Sequence, residues 1–392
     1  MRRKKRRKLK LKNTIIFLII IVIVFFLIIS IFNKNNNTLE HIGYNKLEIK
    51  EIQKLSNKEL ETIYKYDYNK NLVYIISSKD YNKNKLDLYL KYTEKYKDIN
   101  YLSIVSLINH ESFKEENMSK YVECLKQSDN INGIIKYVNQ FPKSTNNVSD
   151  TTFALIDEKY FIYDNLDRYL NYYKNHKNLD YKEIIARVNA NLDNTFYTDS
   201  KKADLSYGMY TLVNKFYYLD SNYIPDDLVT VSGIYARDSA KIKKVAYDNF
   251  IKMADDMRKL GMTIKVTTAY RSYNFQSTLY NNYVKADGVK NADRYSARPG
   301  YSEHQLGYSA DVTNANNVSF DEFENTEEYK WLVDNAHKYG FILRYPKDKE
   351  YMTGYIFEAW HYRYVGLDIA KYIYENNITY EEYYAYYKDT LK

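Results

Sequence analysis

Two short stretches of this chain carry the residue types from which a hydrolytic metal site is built. The first, Ser302-Glu-His-Gln-Leu-Gly-Tyr-Ser-Ala-Asp311, sets His304 and Asp311 seven positions apart with Gly307 between them. The second, Glu358-Ala-Trp-His-Tyr-Arg-Tyr364, adds Glu358 and His361. Two imidazoles and one carboxylate give a catalytic zinc three protein ligands and leave one position open for water. The resulting +1 site lowers the pKa of bound water towards about 7. A carboxylate one hydrogen bond away then acts as general base and returns the proton to the leaving amine. Glu358, three residues before His361, can take that part if the backbone turns at Ala359-Trp360, because on a flat strand positions 358 and 361 face opposite sides. Arg271, at the end of the Thr263–Ala269 run, is the leading cation for an oxyanion. The other histidines fit less well. His41, His110 and His176 sit in polar surroundings with no partner at metal spacing, and His337 beside Lys338 reads as a helix C-terminal cation.

The elements that must position these residues are legible from periodicity. Ile242, Ala246, Phe250, Met253 or Ala254, Met257 and Leu260 recur at helical spacing in a helix expected from Ser239, with Gly261 as its stop. Thr263–Ala269 alternates and is β-branched, so it reads as a strand. Helices are expected over Asn274–Lys285 and Thr326–Tyr339, the latter ended by Gly340, and strands over Phe341–Tyr345 and Tyr355–Tyr364. Two helices close the chain, the second opened by a Thr379/Glu382 capping box. Helices and strands without regular βαβ alternation indicate an α+β fold around one small sheet.

The rest of the chain bounds where such a site would work. The first thirteen residues hold nine Lys or Arg and no acid, and Thr14–Phe32 follows without a charge. That run is long enough to cross a bilayer as a helix. No small-residue cleavage site follows it, so an uncleaved anchor is expected, with residues 1–13 in the cytoplasm and the chain beyond residue 32 outside. The formal charge is +8, of which the first thirteen residues supply +9, so the remainder is near −1 and gives no basis for nucleic-acid binding. The single Cys124 excludes an intramolecular disulfide framework. Residues 33–65 read as a stalk and 66–208 as a Tyr/Asn/Lys-rich extracellular spacer, leading into a catalytic domain over 209–392. Within the spacer Leu86–Tyr101 resembles Leu166–Tyr181 at an offset of eighty, a two-copy repeat. Each copy follows a run that reads as β-rich, Leu72–Ser77 and Thr152–Ile156.

The motifs together carry a resemblance. Thr268-Ala-Tyr-Arg-Ser272, Arg298-Pro-Gly-Tyr-Ser-Glu-His304, Gly307 to Asp311 and Glu358-Ala-Trp-His-Tyr-Arg-Tyr-Val-Gly366 resemble the VanY-type D-alanyl-D-alanine carboxypeptidases over about residues 210–375. The lead-in Leu212-Val-Asn-Lys through Pro225-x-Asp-Leu-Val229 is similar too. The family motif Ser-x-His-x-x-Gly-x-Ala-x-Asp is met at Ser302, His304, Gly307 and Asp311 and departs at Ser309, where Ala is usual. The resemblance implies a fold related to the hedgehog signalling domain, a small antiparallel sheet with flanking helices. It implies one Zn2+ on His304, Asp311 and His361, with Glu358 as base and then acid. It implies Arg271 on the oxyanion or the substrate carboxylate, Gln276 and Ser302 near the C-terminal D-Ala, and Trp360 as a pocket wall. Glu303 is left as a solvated acid. The expected substrates are peptidoglycan stem peptides ending in D-Ala. The alternatives are an LD-carboxypeptidase acting on the tetrapeptide stem and a zinc-containing wall-binding module without catalysis.

Overall fold

A computed structural model describes the backbone of residues 2–141, 143 and 146–387, with side chains from Thr14 onward except at 28, 29 and 31–33. The chain divides into two compact units, Met1–Ile156 and Asp157–Lys392.

The first unit is helical. Its opening helix, Arg2–Ile42, contains the apolar run expected to be a membrane anchor. Among the described residues, however, no helix is long and apolar enough to cross a membrane. The described apolar side chains run without a break only from Ile15 to Leu27, all exposed, while positions 28, 29 and 31–33 of the expected span lie outside the described side chains. The expected single-pass anchor, and the cell-membrane location and orientation drawn from it, are therefore withdrawn.

Residues 33–65 differ from the expected stalk. Leu39, Tyr44, Ile49, Ile52, Leu60 and Ile63 are buried together, and short helices at Lys46–Ile52 and Asn57–Ile63 start at Asn45 and Ser56 capping boxes. The two runs read as β-rich are helices as well, Leu72–Ile76 and Asp150–Asp157. A short apolar run looks alike in either state, and here burial at Leu72 and Ile75, three apart, decides for helix.

Among the described residues the repeat occurs three times rather than twice. Each copy is a 3-10 turn and two helices: Leu86–Lys95 with Tyr101–Asn109, Met118–Leu125 with Ile131–Gln140, and Leu166–Asn175 with Tyr181–Asn189. The same clasp closes each one. The hydroxyls of Tyr89, Tyr121 and Tyr169 donate to Oδ1 of Asn109, Asn139 and Asn189 at 2.5, 2.6 and 2.5 Å. Those amides in turn donate to the carbonyls of Asp80, Ser112 and Tyr160 at 2.7, 2.9 and 2.9 Å. The middle copy escapes a sequence search because its Tyr and Asn are 18 residues apart, against 20 in the other two.

The second unit, Asp157–Lys392, contains the third copy and a mixed helix and sheet fold. Eight strands occur among the described residues. β1 (Lys201–Lys202) pairs parallel with β2 (Tyr217–Tyr218), and β3 (Leu228–Val231) pairs antiparallel with β4 (Ala240–Lys243). β5 (Ile264–Thr268), β6 (Ser309–Asn314), β7 (Phe341–Leu343) and β8 (His361–Tyr364) form an antiparallel sheet in the order β5-β6-β8-β7. The helix expected from Ser239 begins at Lys244, because Ala240–Lys243 is claimed by β4. The strand expected over Tyr355–Tyr364 is confined to β8, since Ala359 and Trp360 form a turn.

The four-stranded sheet has two chemically opposite faces, as the period of two in a strand requires. Ile264, Val266, Ala310, Val312, Phe341, Tyr362 and Tyr364 face one way and pack with Ala246, Phe250, Met253 and Met257 of the Lys244–Lys259 helix. The opposite face carries the chemistry. In the β6–β8 ladder Ser309 pairs with Arg363 and Asp311 with His361. Neighbouring strands add Thr268, which pairs with Asp311, and Arg344, whose N–H donates to the carbonyl of His361 at 3.1 Å.

Candidate metal centre and active site

His304, Asp311 and His361 come together on the charged face, each buried, with one ligand atom from each lying within 4.8 Å of the others. Their placement follows from local backbone. His304 sits in a 3-10 turn, Glu303–Leu306, that Gly307 terminates in the left-handed conformation at φ 80°. A Cβ at Gly307 would lie 3.0 Å from Leu228 Cδ2, so both its conformation and its packing select glycine. The chain then enters β6 and delivers Asp311 opposite His361.

The ring geometry suits a cation. His304 Nδ1 lies 2.6 Å from the Ala269 carbonyl, which fixes the proton there and leaves Nε2 as a lone pair, 3.4 Å from Asp311 Oδ2. His361 Nδ1 is 3.0 Å from Asp311 Oδ1, yet off the hydrogen-bonding direction, so the buried Oδ1 has no hydrogen-bond partner. Buried donors converging on a carboxylate oxygen with nothing bonded to it are what a bound cation would satisfy. Two imidazoles and a carboxylate match the donor set of zinc.

The charges around these groups are strongly shifted. Burial pushes His304 down to about 4, reinforced by the Arg271 charge, so its imidazole is neutral at pH 7. Burial would also lower His361, but the carboxylates of Asp311 and Glu303, at 3.0 and 3.9 Å from its ring nitrogens, carry it up to about 9. A proton on that ring does what a cation would do in its place, neutralising Asp311. Asp311 itself would be raised by burial, but His304 and Arg271 hold it well below the usual carboxylate range.

Glu358 lies beside this set, its Oε2 3.5 Å from His361 Nδ1. The turn at Ala359-Trp360, closed by the His361 N–H donating to the Glu358 carbonyl at 3.3 Å, puts both side chains at one place. Burial raises Glu358 to about 8. The segment leading to it is pinned from several sides. Glu358 N–H donates to the Tyr345 carbonyl at 3.1 Å, and Ile356 N–H to that of Arg294 at 2.9 Å. Lys215, the buried lysine of the lead-in, donates to the carbonyls of Asp293 and Gly354.

A cleft of about 590 Å³ opens over the centre, inside the range usual for small-ligand sites. Arg271, Gln276, Ser302, Glu358 and Trp360 all line it. Arg271 pairs with Asp311 Oδ2. Gln276 is buried, donates to the Ala297 carbonyl at 2.8 Å, and has an Oε1 without a partner. Ser302 is buried, and Trp360 stacks on Phe320 with ring centres 4.8 Å apart.

Sequence reasoning missed a second layer. Glu303, read as a solvated acid, is 2% exposed and sits between Arg344 and Arg363, at 3.0 and 3.2 Å. Burial would raise its pKa, but those two guanidinium groups hold it well below the carboxylate range. Arg344 is gripped from its far side by both carboxylate oxygens of Glu381, at 2.8 and 2.6 Å. Strand alternation puts Arg363, two positions after His361, on the same face of the sheet.

Comparison with known proteins gives the chain its family. The family profile "VanY: D-alanyl-D-alanine carboxypeptidase" matches residues 239–367. The chain is 39% identical to YodJ of Bacillus subtilis (strain 168), provisionally named a carboxypeptidase, over 208 residues, covering 49% of this chain and 75% of YodJ. Among solved structures, the LdcB LD-carboxypeptidase is similar at 38% identity and a TM-score of 0.45, covering 48% of this chain and 91% of that one. A mutant of the D,D-pentapeptidase VanY from the VanB-type resistance cassette, solved with Zn(II), is similar at 31% identity and a TM-score of 0.39, covering 45% and 98%. The chain belongs to the VanY family of D-alanyl-D-alanine carboxypeptidases, and with it to the zinc carboxypeptidases.

Proposed function

We propose that this protein removes the terminal D-Ala from peptidoglycan stem peptides ending in D-Ala-D-Ala. The observation that carries the reading is one cleft onto which three converging ligand atoms, a buried carboxylate and a guanidinium all open. His304 Nε2, Asp311 and His361 Nδ1 would hold zinc, which supplies Lewis-acid activation of water and of the scissile carbonyl. Glu358 accepts the proton of the attacking water and passes it to the departing amine. Its burial supports that double role, since desolvation raises a carboxyl group from its ordinary range towards neutrality, where it both takes and gives a proton. Arg271 carries the charge for the oxyanion or the substrate's terminal carboxylate. Gln276 and Ser302 contact the C-terminal residue, and Trp360 walls the cleft. A module that only bound the wall would gain nothing from burying Glu358 against its own desolvation.

The test is to incubate the full chain with a defined pentapeptide and the corresponding tetrapeptide and weigh the products. Loss of one alanine from the pentapeptide, abolished by a chelator and restored by zinc, is the expected outcome. Cleavage of the tetrapeptide alone would make the protein an LD-carboxypeptidase. No cleavage of either peptide by the zinc-loaded chain would make it a binding module.

A further inference from the structure

His361 offers Nδ1 to the metal cluster, which leaves Nε2 on the far side of the ring. That nitrogen is buried and has no hydrogen-bond partner. The acid nearest to it is Glu303, whose Oε2 is 3.9 Å away and equally buried and unpartnered. Glu303 is not free to turn elsewhere. Its other oxygen is held by Arg344 and Arg363, and each arginine is anchored independently. Arg344 is held by Glu381, and Arg363 donates to the carbonyls of Tyr364, Met209 and Thr211. The side chain is thus clamped with one oxygen aimed at the back of a ligand ring. A metal-bound imidazole needs such a partner, because the acceptor on its second nitrogen fixes both tautomer and ring plane.

We propose that Glu303 is the positioning residue for His361, holding Nε2–H so that the Nδ1 lone pair points at the metal. The inference rests on the zinc reading above. It extends the metal centre through Arg344 and Glu381 to the last described helix, Tyr380–Tyr387.

Two variants that each remove one charge from the same buried cluster test it. Glu303→Gln changes what faces His361, whereas Glu381→Gln leaves that neighbour in place. Zinc dissociation constants are measured by chelator competition on the full chain, with the melting temperature of each metal-free protein read in parallel. Both variants are expected to melt lower. Only Glu303→Gln is expected to weaken zinc binding, by about 10–100-fold, the usual cost of losing such a partner. Cobalt-substituted Glu303→Gln should also show an altered d–d spectrum. Equal weakening in both variants, or none in Glu303→Gln, overturns the assignment while leaving the zinc site standing. A wild-type chain that binds no zinc overturns both.

Discussion

In each helical repeat a tyrosine hydroxyl donates to an asparagine oxygen, and that asparagine's amide donates to a main-chain carbonyl, all at 2.5–2.9 Å. At the metal centre Asp311 Oδ1, His361 Nε2 and Glu303 Oε2 are buried more deeply than these clasps and have no hydrogen-bond partner. Leaving a buried polar group unpaired costs about 1–3 kcal/mol. The repeats, which hold nothing but their own chain together, avoid that cost with neutral groups. The centre accepts it three times within a few residues and adds buried charge. Function is therefore to be sought where stability is given up, at the place that must bind something else.

If a ligand histidine is dispensable, this contrast between repeats and centre fails outright. His304→Ala should leave zinc content near zero by metal analysis and reduce peptide cleavage to background. Stoichiometric zinc in that variant would mean the unpaired atoms do not mark a metal site.

Glu358→Gln probes the same contrast by separating activity from stability. Cleavage should fall by about 10²–10⁴-fold, the usual worth of a general acid–base group. The metal-free protein should at the same time become more stable at pH 8. Glu358 titrates near 8 when folded against 4.5 in its ordinary state. The folded chain therefore holds the proton that the unfolded chain has released, and its stability falls as pH rises from about 4.5 to 8. The difference between wild type and Glu358→Gln in denaturant melts should show that slope. A difference independent of pH would remove burial as the cause of the shift.

The smallest effects belong to the repeats. Tyr89→Phe takes the donor from the part-buried Asn109 oxygen and should cost about 1 kcal/mol in urea denaturation, whereas Tyr121→Phe leaves Asn139 Oδ1 with the Asn117 amide at 3.1 Å and should cost less, with peptide cleavage unchanged in both. A larger cost for Tyr121→Phe than for Tyr89→Phe would mean that the shared clasp is not what holds the copies closed.

The sequence made the ligands legible because a metal site demands particular residue types at particular spacing, and His304, Asp311, His361 and Glu358 have no substitutes for those roles. Glu303 was illegible for the opposite reason. An acid beside a ligand is on the surface far more often than not, and only Arg344 and Glu381, distant in sequence, reveal that it is buried. The middle repeat was hidden by a change of two residues in its length. The Tyr355–Tyr364 segment looked like one strand because its aromatic residues suit a sheet, although Glu358 could only join His361 through a turn. The apolar run near the N-terminus shows the reverse failing: its composition suggested a span that the described helix does not provide.

Asp311 and His361 stand directly across from one another in the β6–β8 ladder. A slip of one residue between two strands turns every side chain of one strand to the opposite face. A misaligned β8 would therefore send His361 and Arg363 into the apolar layer occupied by Tyr362 and Tyr364, and the three donors could not assemble. Metal retention thus doubles as a proofreading signal for strand alignment, and a chain that has paired its sheet wrongly identifies itself by coming out of purification without zinc.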